Sequence, residues 1–198
     1  MHSDQTSLRA FFSRFVDLPD EAWQEVWAAG HPVQYEKKRL LLQPGQVCDR
    51  MLFLHEGAIR AYRIQDGVDL TYFFYFPDAF AFATEFSSFQ TGRPTTYYLE
   101  CIEPCRMTAF YKADIYRLYE RHPAMQKFGR LMAEEAYLLM DRRASQFQFD
   151  SLETRYLAML EEEPGLLQRV PQHLIATYLG VTPESLSRIK QQVTRLRR

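Results

Sequence analysis

The stretch Gln172–Gln191, QHLIATYLGVTPESLSRIKQ, decides the reading of this chain. It divides into two short helical patterns around a tight corner. In the first, Ile175, Ala176 and Leu179 place apolar groups on one face at helical spacing. Gly180 ends that helix, where the backbone must turn left-handed, and Val181 plugs the corner. Thr182 is a good N-cap for a second helix, and Pro183 occupies its first position, where a missing N–H costs nothing. Leu186, Ile189 and Val193 then recur at i, i+3 and i+7 and face inward. The residues between them, Glu184, Ser185, Ser187, Arg188, Lys190 and Gln191, face out.

Two short helices locked at an angle by a glycine turn, the second polar and basic on its free face, resemble a DNA-binding helix-turn-helix. The surrounding charge agrees. From Gly165 to Arg198 the Lys and Arg residues are Arg169, Arg188, Lys190, Arg195, Arg197 and Arg198, against Glu184 as the one acid. With a formal net charge of −1 on the whole chain, this basic tail is balanced by an acidic remainder, a local footprint for phosphate. The expected DNA-contacting set is Thr182, Glu184, Ser185, Ser187, Arg188, Lys190, Gln191, Arg195 and Arg197. Arg188 is the expected guanine reader, because a guanidinium pairs bidentately with O6 and N7, and Glu184 accepts from a cytosine amino group or orients Arg188. The plainer reading of the same stretch is a helical hairpin that packs a core and touches no nucleic acid.

Working outward, 198 residues hold one large domain or a medium domain plus a small one. A hydrophobic content of 46%, with 15% aromatic residues, is ample for a packed core. No run of about 18 apolar residues exists to span a membrane, and the N-terminus lacks the pattern of a signal peptide. Cys48, Cys101 and Cys105 form no CxxC pair and suggest a reducing compartment. A cytoplasmic location is expected.

Up to about Gly30 the chain reads as helical, with Leu8, Phe11, Phe12 and Phe15 on one face and Trp23, Val26 and Trp27 buried in a second short helix. From Val33 to about Phe110 the period falls to two. Leu40–Leu42, Arg50–His55, Ala58–Ile64, Val68–Phe76, Tyr97–Cys101 and Arg106–Phe110 read as strands. Asp66-Gly67 between two of them is a strong hairpin signal. Short strands with glycine turns about every ten residues point to a sandwich or jelly roll. Ala113–Arg121 is a short helix, and Pro123 opens a longer one in which Met125, Phe128, Met132, Ala136 and Leu139 recur at three and four, with Leu131 and Leu138 widening the stripe. A helix apolar on more than one side must bury both sides. Ser151–Glu163 is a further helix.

A jelly roll, a long helix and a C-terminal helix-turn-helix together resemble the Crp/Fnr family of transcription regulators. The markers are the run LLQPGQVCDRMLFLHEGAIRAY at 41–62, FATEF at 82–86 and the recognition stretch. The resemblance implies an α+β chain: residues 1–149 as a roll of the cyclic-nucleotide-binding type with flanking helices and a dimerisation helix over about 123–149, then residues 150–198 as the DNA-binding domain. It implies double-stranded DNA, a second copy of the chain, a small-molecule effector and RNA polymerase as partners, and no membrane. In the family a β-hairpin wing usually follows the recognition helix; Arg195, Arg197 and Arg198 are expected to take over its phosphate contacts.

Jelly rolls also include metal-dependent enzymes, which need several His or carboxylate ligands converging in the barrel. His2, His31, His55, His122 and His173 show no strand or helix spacing of that kind, and no Ser/His/Asp order or phosphate loop stands out. No catalytic residue, metal or cofactor is expected.

At the effector site the resemblance weakens. The family's cyclic-nucleotide binders hold the ribose with the Glu of a Gly-Glu pair and clamp the phosphate with an Arg followed by Ser or Thr. Here Phe82-Ala83-Thr84-Glu85 keeps the Glu, with Thr84 in place of Gly. In Gly92-Arg93-Pro94-Thr95-Thr96, Pro94 lands where Arg is expected and Arg93 comes one place early, a slip that turns a side chain to the other face. The implied pocket is Phe82, Glu85, Phe86, Arg93, Thr95 and Thr96, with Tyr72 and Phe74 from the neighbouring strand. Its many aromatic residues suit a planar or apolar effector, or are the filled core of a small roll. Cyclic AMP is not the expected effector, because losing one partner of a buried charge pair costs about 2–5 kcal/mol. A second reading is a ligand- or protein-interaction roll that no longer binds DNA specifically.

Overall fold

The computed structural model describes residues 2–162 and 165–196. Two helices, α1 (His2–Ser13) and α2 (Asp20–Ala28), precede eight strands: β1 (His31–Tyr35), β2 (Leu40–Leu42), β3 (Arg50–Glu56), β4 (Ile59–Gln65), β5 (Val68–Tyr75), β6 (Phe82–Ala83), β7 (Tyr98–Cys101) and β8 (Cys105–Tyr111). A short helix α3 (Phe86–Thr91) lies between β6 and β7. The strands form two four-stranded sheets, ordered β1-β8-β3-β6 and β2-β7-β4-β5, which is the jelly roll read from the strand pattern. Then follow α4 (Lys112–Arg121), α5 (Pro123–Phe149), α6 (Leu152–Glu162), α7 (Leu166–Arg169), α8 (Gln172–Tyr178) and α9 (Pro183–Leu196). No helix among the described residues is long and apolar enough to cross a membrane.

The chain divides into two compact units, residues 1–61 with 74–136, and residues 62–73 with 137–198. In the first, alternation along β3 sends Leu52 and Leu54 to one face, and Phe53 and His55 to the other. Phe53 meets Phe11 of α1, and Phe82 of β6 meets Phe11, Phe12 and Phe53. Phe128 of α5 stacks on Phe12 with ring centroids 4.0 Å apart. An aromatic seam therefore fixes α1 and the start of α5 onto the outer face of the first sheet. β1 is not among the strands read from the sequence, the first of which is Leu40–Leu42. As the end strand of its sheet it tolerates Pro32, whose missing N–H breaks no ladder there.

His55 sits in the same seam, its Nδ1 2.9 Å from the Ser7 hydroxyl and its Nε2 2.8 Å from that of Thr108. Burial lowers its pKa from 6.5 to about 4. A histidine depressed in this way adds stability that is complete above the unfolded value of 6.5 and is lost as pH falls through about 4. The melting temperature is therefore expected to fall as pH drops from 6.5 to 4, and His55→Gln is expected to flatten that slope in a pH series of thermal melts.

In the second unit the Asp66-Gly67 turn joins β4 to β5 with both φ angles positive, +53° and +77°, the geometry that matches strand twist in a two-residue hairpin. The outer part of this hairpin packs with the C-terminal helices. The Thr71 N–H donates to the Thr177 hydroxyl at 3.2 Å.

Candidate functional site

The expected helix-turn-helix is α8, a corner and α9. Ile175 and Ala176 are fully buried, with Leu179, Leu186 and Val193 nearly so, while Ile189 is half-buried. Gly180 takes φ +71°, and the Val181 N–H returns to the Ala176 carbonyl at 2.9 Å, closing α8 in the left-handed manner expected of its glycine. The Thr182 hydroxyl accepts the Ser185 N–H at 3.3 Å, an N-cap for α9. Thr182, Glu184, Ser187, Arg188, Lys190 and Gln191 are exposed, and Ser185 is half-buried beside its cap. Glu184, Ser187, Arg188 and Gln191 recur at three and four residues and share one face. The Glu184 carboxyl is held below its ordinary pKa by its own backbone N–H, then by Thr182, with a smaller effect from Arg188. It is thus an anion beside a cation on an open helix face. Arg197 and the side chain of Arg195 lie outside the described residues.

The corner is held from behind by residues that the periodicity of the sequence does not reveal. Arg155 of α6 donates to the Asp150 carbonyl at 3.0 Å and to the Leu179 carbonyl at 3.2 Å. That satisfies one of the carbonyls which a helix leaves unpaired at its end. The Arg155 guanidinium lies 5.0 Å from the Phe147 ring centroid, and that of Arg143 lies 4.0 Å from the Tyr178 ring. The Phe147 ring packs so closely on Gly180 that a Cβ there would stand 2.9 Å from it. Cationic side chains thus orient the end of α8 without touching the face that α9 presents.

The expected effector residues separate into three groups. Glu85 N-caps α3: its two carboxylate oxygens accept the N–H groups of Ser87 and Ser88 at 3.2 and 3.0 Å. The buried Ser88 hydroxyl accepts the Cys48 N–H at 2.9 Å and donates to the Arg93 carbonyl at 2.6 Å. Thr95 is buried, its hydroxyl accepting the Tyr97 N–H at 2.9 Å, and its backbone pairs with Gly45 and Gln46. Thr96 and Arg93 are exposed. Lys112 donates to the Phe89 and Gln90 carbonyls and so closes the other end of α3. A second group faces elsewhere. Phe82 belongs to the outer aromatic seam and Phe86 is 46% exposed. The third is split along β5: Phe74 is buried, whereas Tyr72 is exposed and directs its hydroxyl to Met140 Sδ at 2.9 Å.

These residues do not fit a cyclic nucleotide in the way the family resemblance implies. The Glu85 oxygens each accept one N–H of α3 and keep lone pairs for a further donor, so the misfit lies at the phosphate. Arg93, the single cation in residues 84–96, is exposed, and Thr95 takes the buried place in that segment. A buried phosphate charge without a paired cation is costly.

The cyclic nucleotide-binding domain family matches residues 32–122. No curated protein matches the chain. Among solved structures, FixK2 from Bradyrhizobium japonicum superimposes with a TM-score of 0.72 at 14% identity, over 84% of this chain and 85% of that one. The c-di-GMP responsive global regulator CLP of Xanthomonas campestris gives 0.69 at 16% identity, over 89% and 92%. CooA from Carboxydothermus hydrogenoformans gives 0.67 at 14% identity, over 86% and 79%. With a cyclic nucleotide-binding domain at residues 32–122 and helices that superimpose beyond it, this chain has the fold of the Crp/Fnr regulators.

Proposed function

We propose that the protein is a sequence-specific DNA-binding transcription regulator of the Crp/Fnr type, acting as a homodimer and not responding to cyclic AMP. The observation that carries this reading is the exposed α9 face of Glu184, Ser187, Arg188 and Gln191 on a turn closed by Gly180 and capped by Thr182. A helix held this way offers its N-terminal half to the major groove. Dimerisation is supported by α5. After Phe128 none of its residues is buried, and Tyr137 and Leu138 are 69% and 62% exposed. Independence from cyclic AMP is supported by Arg93, the single cation of residues 84–96, which stands exposed while Thr95 takes the buried place.

Selection of bound sequences from random duplex DNA tests the reading. It is expected to return a near-palindrome with half-sites roughly 34 Å apart. Arg188→Ala is expected to lower specific affinity by about 1–3 kcal/mol and to relax one base position per half-site. Arg197→Ala is expected to weaken all duplexes alike and to reduce the salt dependence. No enriched sequence, or equal losses on specific and random duplexes for both variants, would refute it.

A further inference from the structure

A groove outside the proposed DNA contact runs beside β2 and the 43–50 segment that leads into β3. It consists of two adjoining cavities of about 500 and 410 Å³ that share Leu41, Gln46, Arg50 and Leu52. Its apolar floor is Leu40, Leu41 and Leu52, and Tyr35 forms one wall. Three cations line it: Lys38, Arg39 and Arg50. The turn that carries the first two is fastened to β7. The Lys38 N–H donates to the Cys101 carbonyl at 2.7 Å, and the Cys101 N–H donates to the Arg39 carbonyl at 3.0 Å. Lys38 itself is held at φ +70°, a conformation rare for a side chain of this kind.

The charges at the groove do not cancel. Arg50 is neutralised by Asp49 at 2.7 Å and lies 4.9 Å from the Tyr111 ring centroid. Lys38 and Arg39 have no carboxylate partner among the described residues; Arg39 lies over the Tyr35 ring at 5.8 Å. Two adjacent free cations above a leucine floor favour an anion that carries an apolar or planar body. The volume is that of an ordinary small-molecule site, about 300–1,000 Å³. Guanidinium and ammonium groups side by side are suited to phosphate oxygens.

We propose that this groove binds a nucleotide-sized organic phosphate, its phosphate on Lys38 and Arg39 and its body on Leu40, Leu41 and Tyr35. The wall of the groove is also the backbone that holds α3 and its flanks. Gln46 accepts the Thr95 N–H, Cys48 donates to Ser88, and the Arg50 carbonyl accepts the Thr84 hydroxyl. An occupant therefore bears on the segment that in the resembling family carries the effector, while leaving the roll's own network of Glu85, Ser88 and Thr95 intact.

The test is calorimetric titration of the full chain with adenosine 5′-diphosphate, guanosine 5′-monophosphate and fructose 1,6-bisphosphate, with adenosine and inorganic phosphate as half-ligands. At least one organic phosphate is expected to bind with a Kd at or below about 1 mM and more tightly than either half-ligand. The double variant Lys38→Ala/Arg39→Ala, whose side chains are exposed, is expected to keep the parent's melting temperature and to weaken that ligand about tenfold or more. Leu41→Ala, which removes floor area without adding charge, is expected to weaken the organic phosphate while leaving the weak binding of inorganic phosphate unchanged. Absence of heat with all three ligands would overturn the proposal. So would binding that Lys38→Ala/Arg39→Ala leaves unchanged and Ser88→Ala abolishes, which would place the ligand against α3. Loss of random-duplex affinity in the double variant without a change for the small ligands would make the cations a DNA surface and overturn it equally.

Discussion

Gly57→Ala is expected to cost about 3 kcal/mol or more and to leave little folded roll at 37 °C, combining roughly 1–2 kcal/mol for a left-handed non-glycine residue with roughly 1–3 kcal/mol for overpacking. Gly57 turns the chain between β3 and β4 at φ +96°. A Cβ there would lie 2.3 Å from the Pro104 carbonyl oxygen and 2.9 Å from the Cys105 Cα. Both are backbone atoms at the start of β8, the strand that pairs with β3 through a register running from Arg50 opposite Tyr111 to Leu54 opposite Met107. They cannot withdraw without breaking that ladder. Urea denaturation with circular dichroism reads the loss directly; a variant within 1 kcal/mol of the parent (about fivefold in the folding constant) would show that the turn relaxes more easily than its contacts indicate.

Phe128→Ala is the second large effect, expected to cost about 3–5 kcal/mol. Phe128 is buried, stacked on Phe12 at 4.0 Å, and its ring centroid lies within 6.4 Å of those of Phe11, Phe15 and Phe82. Truncation would leave a cavity bounded by four rings from α1, the turn that follows it and β6, which pack against each other and cannot easily collapse inward. Phe128→Leu fills most of that volume and is expected to lose less than half as much. Equal losses for the two variants in the same denaturation series would mean that ring stacking, and not the cavity, carries the cost.

What was legible in the sequence was local. Helix α9 could be read because its cap, its glycine and its apolar period all act within a few residues, and Thr182, Gly180, Leu186 and Val193 play the parts their positions suggest. The roll was legible through its two-residue period and its Gly turns. The separation of the expected effector residues into different surroundings was not. The side to which Phe82 points depends on a strand of two residues paired with Leu52 and Phe53, and that register is a long-range fact. Tyr72 and Phe74 are two apart on one strand, so alternation treats them alike. They differ because residues up to 73 pack with the C-terminal helices and Phe74 belongs to the roll. Arg155 was passed over for a related reason: one of its two carbonyl acceptors, that of Leu179, is 24 residues away, and no periodicity connects them.

The pairing of Thr71 with Thr177 has a consequence for synthesis on the ribosome. The two residues are separated by 106 positions, and the hairpin tip that includes Thr71 is made long before its helical partner. At about 5–20 residues per second, the tip waits on the order of 5–20 s for α8 to be translated. During that interval β5, the end strand of its sheet, has an unpaired backbone edge and the exposed apolar side chains of Ile64 and Val68 beside it. Such an edge is a template for wrong pairing with another nascent chain. Translation speed between Thr71 and Thr177 therefore sets how long the Thr71 N–H waits for its partner, whereas the edge of β5 and the Ile64 and Val68 side chains stay open in the finished chain as well.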